Sequence, residues 1–305
     1  MYAPPPDIET WVFAQVPEGL RRRDRPSQWL SLQQRGRAMG SFIEGPSFDR
    51  SGNLYIVDIA HGRVFRIGPD GAFDVVADYD GQPNGLKIHR DGRVFIADYA
   101  NGIMELDPDS GHVSAYLARD RFPDFKGFND LFFASNGDLY FTDQGYTGVH
   151  DPTGRLWRYT HDGHLDCLLD NVPSPNGLVM APDESQLYLA VTRANAVWRV
   201  PFLLDGTPSK VGVYLQLSGA VGPDGLAINE KGELFVAHVG GGSVWQFNAS
   251  GEPIARIRSC AGPLTTNMAF GGAGHRTLFI TESYSGSVLA ADLDVPGQTM
   301  FSHLD

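Results

Sequence analysis

Cysteine is nearly absent from this chain: 305 residues hold two, Cys167 and Cys260, far apart and without a CxxC spacing. That leaves a lone disulfide or two unlinked buried thiols, and the second is expected. Positive charge is also short, with 24 Lys and Arg against 36 Asp and Glu for a net charge of −12. Such a balance argues against nucleic acid and anionic membrane as partners, while neutral substrates and cations remain compatible. No apolar run approaches the ~20 residues of a membrane span. The first residues, Met1 to Asp7, show neither a basic n-region nor an apolar h-region. A soluble cytoplasmic protein is the expectation. Missing too are a G-x-S-x-G elbow, an H-E-x-x-H helix and a P-loop, so serine-hydrolase, zincin and nucleotide-binding readings lack their motifs. Gly-bearing turns interrupt the chain nearly every ten residues, which leaves no room for long helices.

What is present is a repeat. Glu44, Asn84, Asn129, Asn176, Asp224 and Asn267 lie 40 to 48 residues apart, each set just before an apolar strand. The first unit shows the plan. Glu44-Gly45-Pro46 leads into a strand, Asp49 to Gly52 turn, and Leu54 to Asp58 form a second strand. Arg63 to Ile67 and Ala72 to Val76 add two more. Four short strands per unit, at this period, is the sequence sign of a propeller blade. The chain is therefore expected to be all-β, a single six-bladed β-propeller over residues 1–305. Blades begin near 44, 84, 129, 176, 224 and 267, and residues 1–40 form an N-terminal extension. Within it, Thr10 to Ala14 are expected to add an outer strand that closes the ring.

Asn-Gly is a common hairpin turn, which is the plain reading of Asn84-Gly85 and Asn176-Gly177. Register separates them from a true turn such as Asn136-Gly137, because they share a slot with Glu44 and Asp224, and Glu is a poor turn residue. In a propeller the equivalent inner positions converge on one axis. Carboxylates and amide carbonyls facing one channel suit a hard divalent cation, whereas zinc more often takes imidazole or thiolate. Ca²⁺ is the expected ion, with Mg²⁺, Mn²⁺ and Zn²⁺ as alternatives. Such a centre is able to polarise an ester or lactone and activate water.

The motifs Glu44-Gly45-Pro46, Asn129-Asp130, Pro175-Asn176-Gly177-Leu178, Gly222-Pro223-Asp224-Gly225-Leu226 and Phe279-Ile280-Thr281-Glu282 occur in order at blade spacing. From about residue 40 to 293 the chain resembles the gluconolactonase family, which includes senescence marker protein and luciferin-regenerating enzyme. It is similar as well to bacterial drug-responsive lactonases and, more distantly, to diisopropyl fluorophosphatase. The resemblance implies a six-bladed propeller with one catalytic divalent ion in its channel. By position, Glu44, Asn176 and Asp224 match the core metal ligands, and Asn129 a fourth ligand or substrate-binding amide. Asp224 matches a general base, and Asp130 an acid implicated in the bacterial lactonases. Some aldonolactonases carry an Arg two residues before the third-unit Asn; Gly127, preceded by Lys126, stands there instead. Sugar-acid specificity is thereby put in doubt.

Around the presumed mouth, Asn84, Phe128, Gln144, His238, Asn267, Glu282 and Tyr284 are candidate substrate contacts, together with Asn129. Phe42 is a further candidate for shaping the pocket. His238 reads equally well as a structural hydrogen bonder. His61, His112, His161 and His164 are expected exposed at turns. Trp157, Trp198 and Trp245 recur on third strands and read as interblade packing. Arg21 to Arg25 read as a solvated loop, Asp107 to Gly111 as a turn, and Gly240 to Gly242 as a wide blade turn. The function expected is a divalent-metal-dependent hydrolase opening a small lactone, through a polarised carbonyl and water deprotonated by Asp224 or Asp130. Two alternatives stand beside it: a phosphotriester or fluorophosphate hydrolase, and a non-catalytic interaction scaffold with a structural ion. Oligomeric state is left open.

Overall fold

The computed structural model describes residues 4–304; Met1, Tyr2 and Ala3, part of the stretch read for a leader, lie outside the described residues. Six antiparallel sheets form the blades. Blade 1 is Ile43–Phe48, Leu54–Asp58, Arg63–Ile67 and Phe73–Asp78, counted from the axis outward. The remaining five repeat it, with inner strands Pro83–Ile88, Phe128–Phe133, Pro175–Met180, Gly222–Ile228 and Thr265–Gly271. Each inner strand abuts the next, and the last abuts the first. No helix among the described residues is long and apolar enough to cross a membrane.

Both faces of every blade are covered by neighbours, so inner and second strands are apolar without alternation, as in the fully buried Leu54–Asp58 and Val94–Asp98. The interblade layers are filled by residues such as Phe65, Phe141, Phe235 and Leu289, all essentially inaccessible. Trp157 is buried edge-on against Phe122, with ring centroids 5.3 Å apart. Trp198 and Trp245 pack, half-buried, on the neighbouring clusters, so all three tryptophans serve packing.

The ring is closed by the N-terminus. Trp11–Gln15 pairs antiparallel with Ser287–Asp292 as the outer strand of blade 6, as the sequence suggested. Asp7–Glu9 was not foreseen; it pairs parallel with Pro253–Arg258 and gives blade 5 a fifth strand. Two further departures come from tertiary contacts. Arg21, Arg22 and Arg23 are not a free solvated loop: Arg21 donates to the Val16 and Ser285 carbonyls, Arg22 pairs with Asp78, and Arg23 with Glu18. The extension is thus clamped to blades 1 and 6. The cysteines are free, as expected, but exposed rather than buried. His61 is buried, not exposed at its turn.

Between the closing strand and blade 1, the chain crosses the end of the channel where the inner strands begin. It forms a short helix there, Gln28–Gln33, whose N-cap Ser27 accepts from the Leu30 N–H at 3.2 Å. Trp29 lies 4.6 Å from Phe42 between ring centroids, and Gln33 Nε2 donates to the Tyr99 hydroxyl at 3.2 Å. At the other end, the C-terminal tail brings Phe301 onto Phe133, stacked at 5.2 Å, and Ser302 donates to the Phe48 carbonyl.

A second repeated device fixes the loops before the inner strands. Asp58, Asp98, Asp143 and Glu282 end the second strands of four blades. Each carboxylate accepts from backbone N–H groups just before or at the start of its inner strand: Phe42, Gln82, Lys126 with Gly127, and Leu264 respectively. Asp58 also takes the buried Arg63 guanidinium. Burial raises the Asp58 carboxyl pKa, opposed by Arg63 and the Phe42 N–H. Removing one partner of such a pair strands the other charge. Asp58→Ala is therefore expected to destabilise the fold by about 3–5 kcal/mol, read from the shift in urea midpoint at unchanged slope; a loss below about 1 kcal/mol would contradict the argument.

Candidate active site

All six repeat positions lie within their inner strands rather than just before them, at the second or third residue, where each strand carries a bulge. The register slips between Glu44 and Ser47, Pro83 and Gly85, Phe128 and Leu131, Pro175 and Leu178, Pro223 and Leu226, and Thr265 and Met268. A bulge re-aims side chains and interrupts pairing. Here it happens once per blade, at the axis.

The bulges bring neighbouring strands so close that a Cβ has no space in four of the six following positions. A Cβ on Gly45 would lie 2.5 Å from the Asn84 carbonyl oxygen, and one on Gly177 the same distance from that of Asp224. Those on Gly85 and Gly225 would strike Asp130 and Asn267. Blade 3 has Asp130 in this slot and blade 6 has Met268.

The outcome is a cavity of about 400 Å³ at the channel mouth, lined by Glu44, Asn84, Asn129, Asn176 and Asp224. Five of the six repeat positions therefore meet. Asn267 does not join them: its amide donates to Asp130 Oδ2 at 3.2 Å and its Oδ1 accepts from the Met268 N–H. Asp130 itself is not a lining residue. Its Oδ1 accepts from the Leu131 N–H at 2.9 Å and lies 4.0 Å from Lys87 Nζ, below the cavity floor. Lys87 reaches it from the apolar end of the channel, under the C-terminal tail residues Gln298 to Met300.

Amide orientation is decided by Thr192. Its hydroxyl proton goes to the Pro223 carbonyl at 2.8 Å, so toward Asn176 it acts as acceptor of the Nδ2 donor at 3.2 Å. The Asn176 Oδ1 is left without a protein donor among the described residues. Asn129 Nδ2 is likewise spent on Gln144 Oε1 at 2.9 Å. Two carboxylates and two amide carbonyls are thus available at one place.

Electrostatic strain accompanies this arrangement. Burial pushes the Glu44 carboxyl well above its ordinary range, and the charges of Asp224 and Asp130 push it further, against the Gly45 N–H. Asp224 is raised by burial as well, with the Asn176 amide lowering it, Asp130 raising it and Arg193 lowering it. Asp130 is raised by burial, opposed by Lys87. Among the described residues no three His, Cys, Asp or Glu side chains form a metal cluster. The oxygen set is two carboxylates plus amides, and that donor chemistry fits a hard divalent ion. Such an ion would also relieve the mutual repulsion of the buried acids.

Other candidates separate clearly. Phe42 and Gln144 line the cavity. Phe128 is fully buried in an aromatic cluster with Phe122, Phe125 and Phe141, away from it. Glu282 is committed to the Leu264, Tyr284 and Ser285 N–H groups, which is the loop-fixing slot of Asp58. Tyr284 is exposed and outside the lining. His238 occupies that same slot in blade 5 and turns from the cavity, while Val239, next on the strand, enters it.

The residues missed follow the same period. Ile59, Tyr99, Thr192 and Val239 each come directly after this slot, as the expected Gln144 does, and all line the cavity. Aligning the second strands as well as the first would have found them. Trp29, Gln33, Gln34 and Arg37 of the extension also line it, and only the Ser27 N-cap marked that helix in the sequence.

Comparison with known proteins places the chain. The SMP-30/gluconolactonase/LRE-like region matches residues 42–284. The chain belongs to that family. A lactonase, Drp35, of Staphylococcus aureus is 30% identical over 240 residues, 75% of this chain and 72% of that protein. Its counterpart in Staphylococcus saprophyticus is 30% identical over 241 residues, with the same two coverages. Among solved structures, a gluconolactonase of Xanthomonas campestris superposes with a TM-score of 0.73 at 23% identity, covering 84% of this chain and 86% of that one. Regucalcin of Agrobacterium tumefaciens, a calcium-binding protein, gives 0.77 at 21% identity over 97% and 98%. At those identities the two structures speak to the fold, which is the six-bladed propeller found here.

The inner-strand contacts make this axial site fragile to added volume. Gly177→Ala would force the Asp224 backbone to move, and overpacking of this kind costs about 1–3 kcal/mol. A thermal-melt shift of that size, together with loss of hydrolytic activity, is expected. Wild-type stability and activity in this variant would show that the strands have slack.

Proposed function

We propose that this protein is a divalent-cation-dependent hydrolase that opens a small lactone. The observation carrying the reading is the convergence of Glu44, Asn129, Asn176 and Asp224 on one cavity in a chain of the gluconolactonase family whose relatives include lactonases. Those four residues would hold the ion, Ca²⁺ by the hardness of the all-oxygen set. When bound, it would supply Lewis acidity toward a carbonyl oxygen.

The chain's own groups account for the rest. Asp224, whose carboxylate reaches the cavity, takes a proton from the attacking water as the water oxygen bonds to the lactone carbon. When the ring carbon–oxygen bond breaks, the same carboxyl returns that proton to the departing alkoxide, leaving a hydroxy acid. Asn84 and Gln144 offer side-chain amides to the substrate's oxygens. Trp29, Phe42 and Tyr99 wall the cavity and restrict water. Asp130 is assigned a positioning role: it holds Asn267 and faces Lys87, and its side chain does not line the cavity.

Chelator-stripped protein is expected to lose turnover of an aliphatic and aldonolactone panel, followed as acid release, and to regain it with Ca²⁺ or another single cation. Glu44→Gln should lower kcat/KM by roughly a hundredfold or more and weaken calcium binding in calorimetry. Full activity after stripping in a folded protein would defeat the metal-dependent reading. Asp224→Asn should cost about 10²–10⁴-fold in kcat, the usual contribution of a general base. Asp130→Asn should cost far less; the reverse order would transfer the base to Asp130.

A further inference from the structure

The cavity carries two cationic side chains that the chemistry above does not use. Arg37 follows the extension's helix and Arg193 follows the second strand of blade 4, and both line the cavity that holds Glu44 and Asp224. Both are exposed, and neither guanidinium makes a hydrogen bond or ion pair among the described residues. This contrasts with Arg21, Arg22 and Arg23 of the same extension, which are all engaged by protein oxygens.

The base of Arg193 is rigid. Thr192 is tied to Asn176 and Pro223, and Asn195 closes the turn in a left-handed conformation at φ 50°, donating through its N–H to the Thr192 carbonyl. The Asn195 amide and carbonyl are bonded in turn to Gly219 and Gln216. Arg193 is therefore presented at a fixed place on the rim. Arg37 is brought over the cavity by a helix latched through Gln33 to Tyr99 and through Trp29 to Phe42.

Charge balance gives this pair a meaning. Glu44 and Asp224 together match one divalent ion, so with the ion in place the uncompensated formal charges lining the cavity are the two guanidiniums. A planar guanidinium fork is well matched to a carboxylate and attracts it before contact. A volume of about 400 Å³ lies in the range, ~300–1,000 Å³, that holds drug-sized ligands, which leaves space for a substituted ring.

We propose that the substrate is a lactone whose ring bears a carboxylate, held at the mouth by Arg37 and Arg193 while the ester carbonyl reaches the axial acids. This rests on the lactonase reading and adds the substrate class. It also accounts for the Gly127 departure, since recognition of the substrate here comes from the rim of blade 4 and the extension rather than from that position.

The test compares γ-butyrolactone with its γ-carboxylate on calcium-loaded enzyme, and measures binding of 2-hydroxyglutarate, the opened form of the latter, by calorimetry. The wild type should prefer the carboxylated ring by about tenfold or more in kcat/KM, mainly through KM. In the double variant Arg37→Gln, Arg193→Gln that preference should fall by about tenfold, and hydroxyglutarate affinity with it. Raising salt should weaken wild-type binding more than variant binding. If both lactones turn over and neither preference nor affinity responds to the double substitution, the anion assignment is wrong and the lactonase reading survives. If neither lactone turns over but hydroxyglutarate binding still depends on the arginines, the lactonase reading fails and the anion site stands. Failure of both measurements overturns both.

Discussion

Everything at the centre of this molecule depends on how closely the six inner strands approach one another. A ring of six blades leaves so little axial room that four of the six inner strands admit no Cβ at the residue after the repeat position. The consequence is rigidity where the chemistry sits. Each axial side chain is fixed by its own strand's bulge and by the backbone of the next strand, so its direction does not depend on a flexible loop. A close-packed scaffold of this kind can hold like charges together that would otherwise drift apart.

The stored cost is electrostatic. Glu44, Asp130 and Asp224 are all deeply buried and mutually repulsive, and burial alone raises each carboxyl pKa. The fold manages them in two ways. Asp130 is satisfied internally by Lys87, Asn267 and a backbone N–H. Glu44 and Asp224 instead open into the cavity beside unspent amide oxygens. The first arrangement satisfies a buried acid within the fold, while the second leaves carboxylate and amide oxygens free at the cavity, where the proposed cation would sit. The structural carboxylates Asp58, Asp98, Asp143 and Glu282 form a third class, directed to backbone N–H groups.

Much of this was legible in the chain. The repeat period, the strand plan, the closing N-terminal strand and the family motifs were all readable, because each blade is a local unit with its own turn chemistry. Five of six axial residues were placed together from register alone. The failures share a cause. Glu282 and Phe128 lie near the channel mouth in sequence, yet one side chain is turned to backbone N–H groups and the other into the core. Asn267 was grouped with its equivalents, but blade 3 places Asp130 where glycine stands in four other blades, and Asn267 bends to meet it.

By itself, then, the sequence determined the architecture and the identity of the axial acids and amides, since a periodic hydrophobic pattern and a periodic polar slot need no knowledge of distant contacts. Only the tertiary structure decided which of those polar groups face the cavity, which are spent on one another, and what covers the mouth. Thr192 oriented by the Pro223 carbonyl of the next blade, Lys87 answering Asp130, and Arg37 arriving with the N-terminal extension join residues from different blades or from outside the repeat. Their positions follow from ring closure, which brings sequence-distant groups within hydrogen-bond reach.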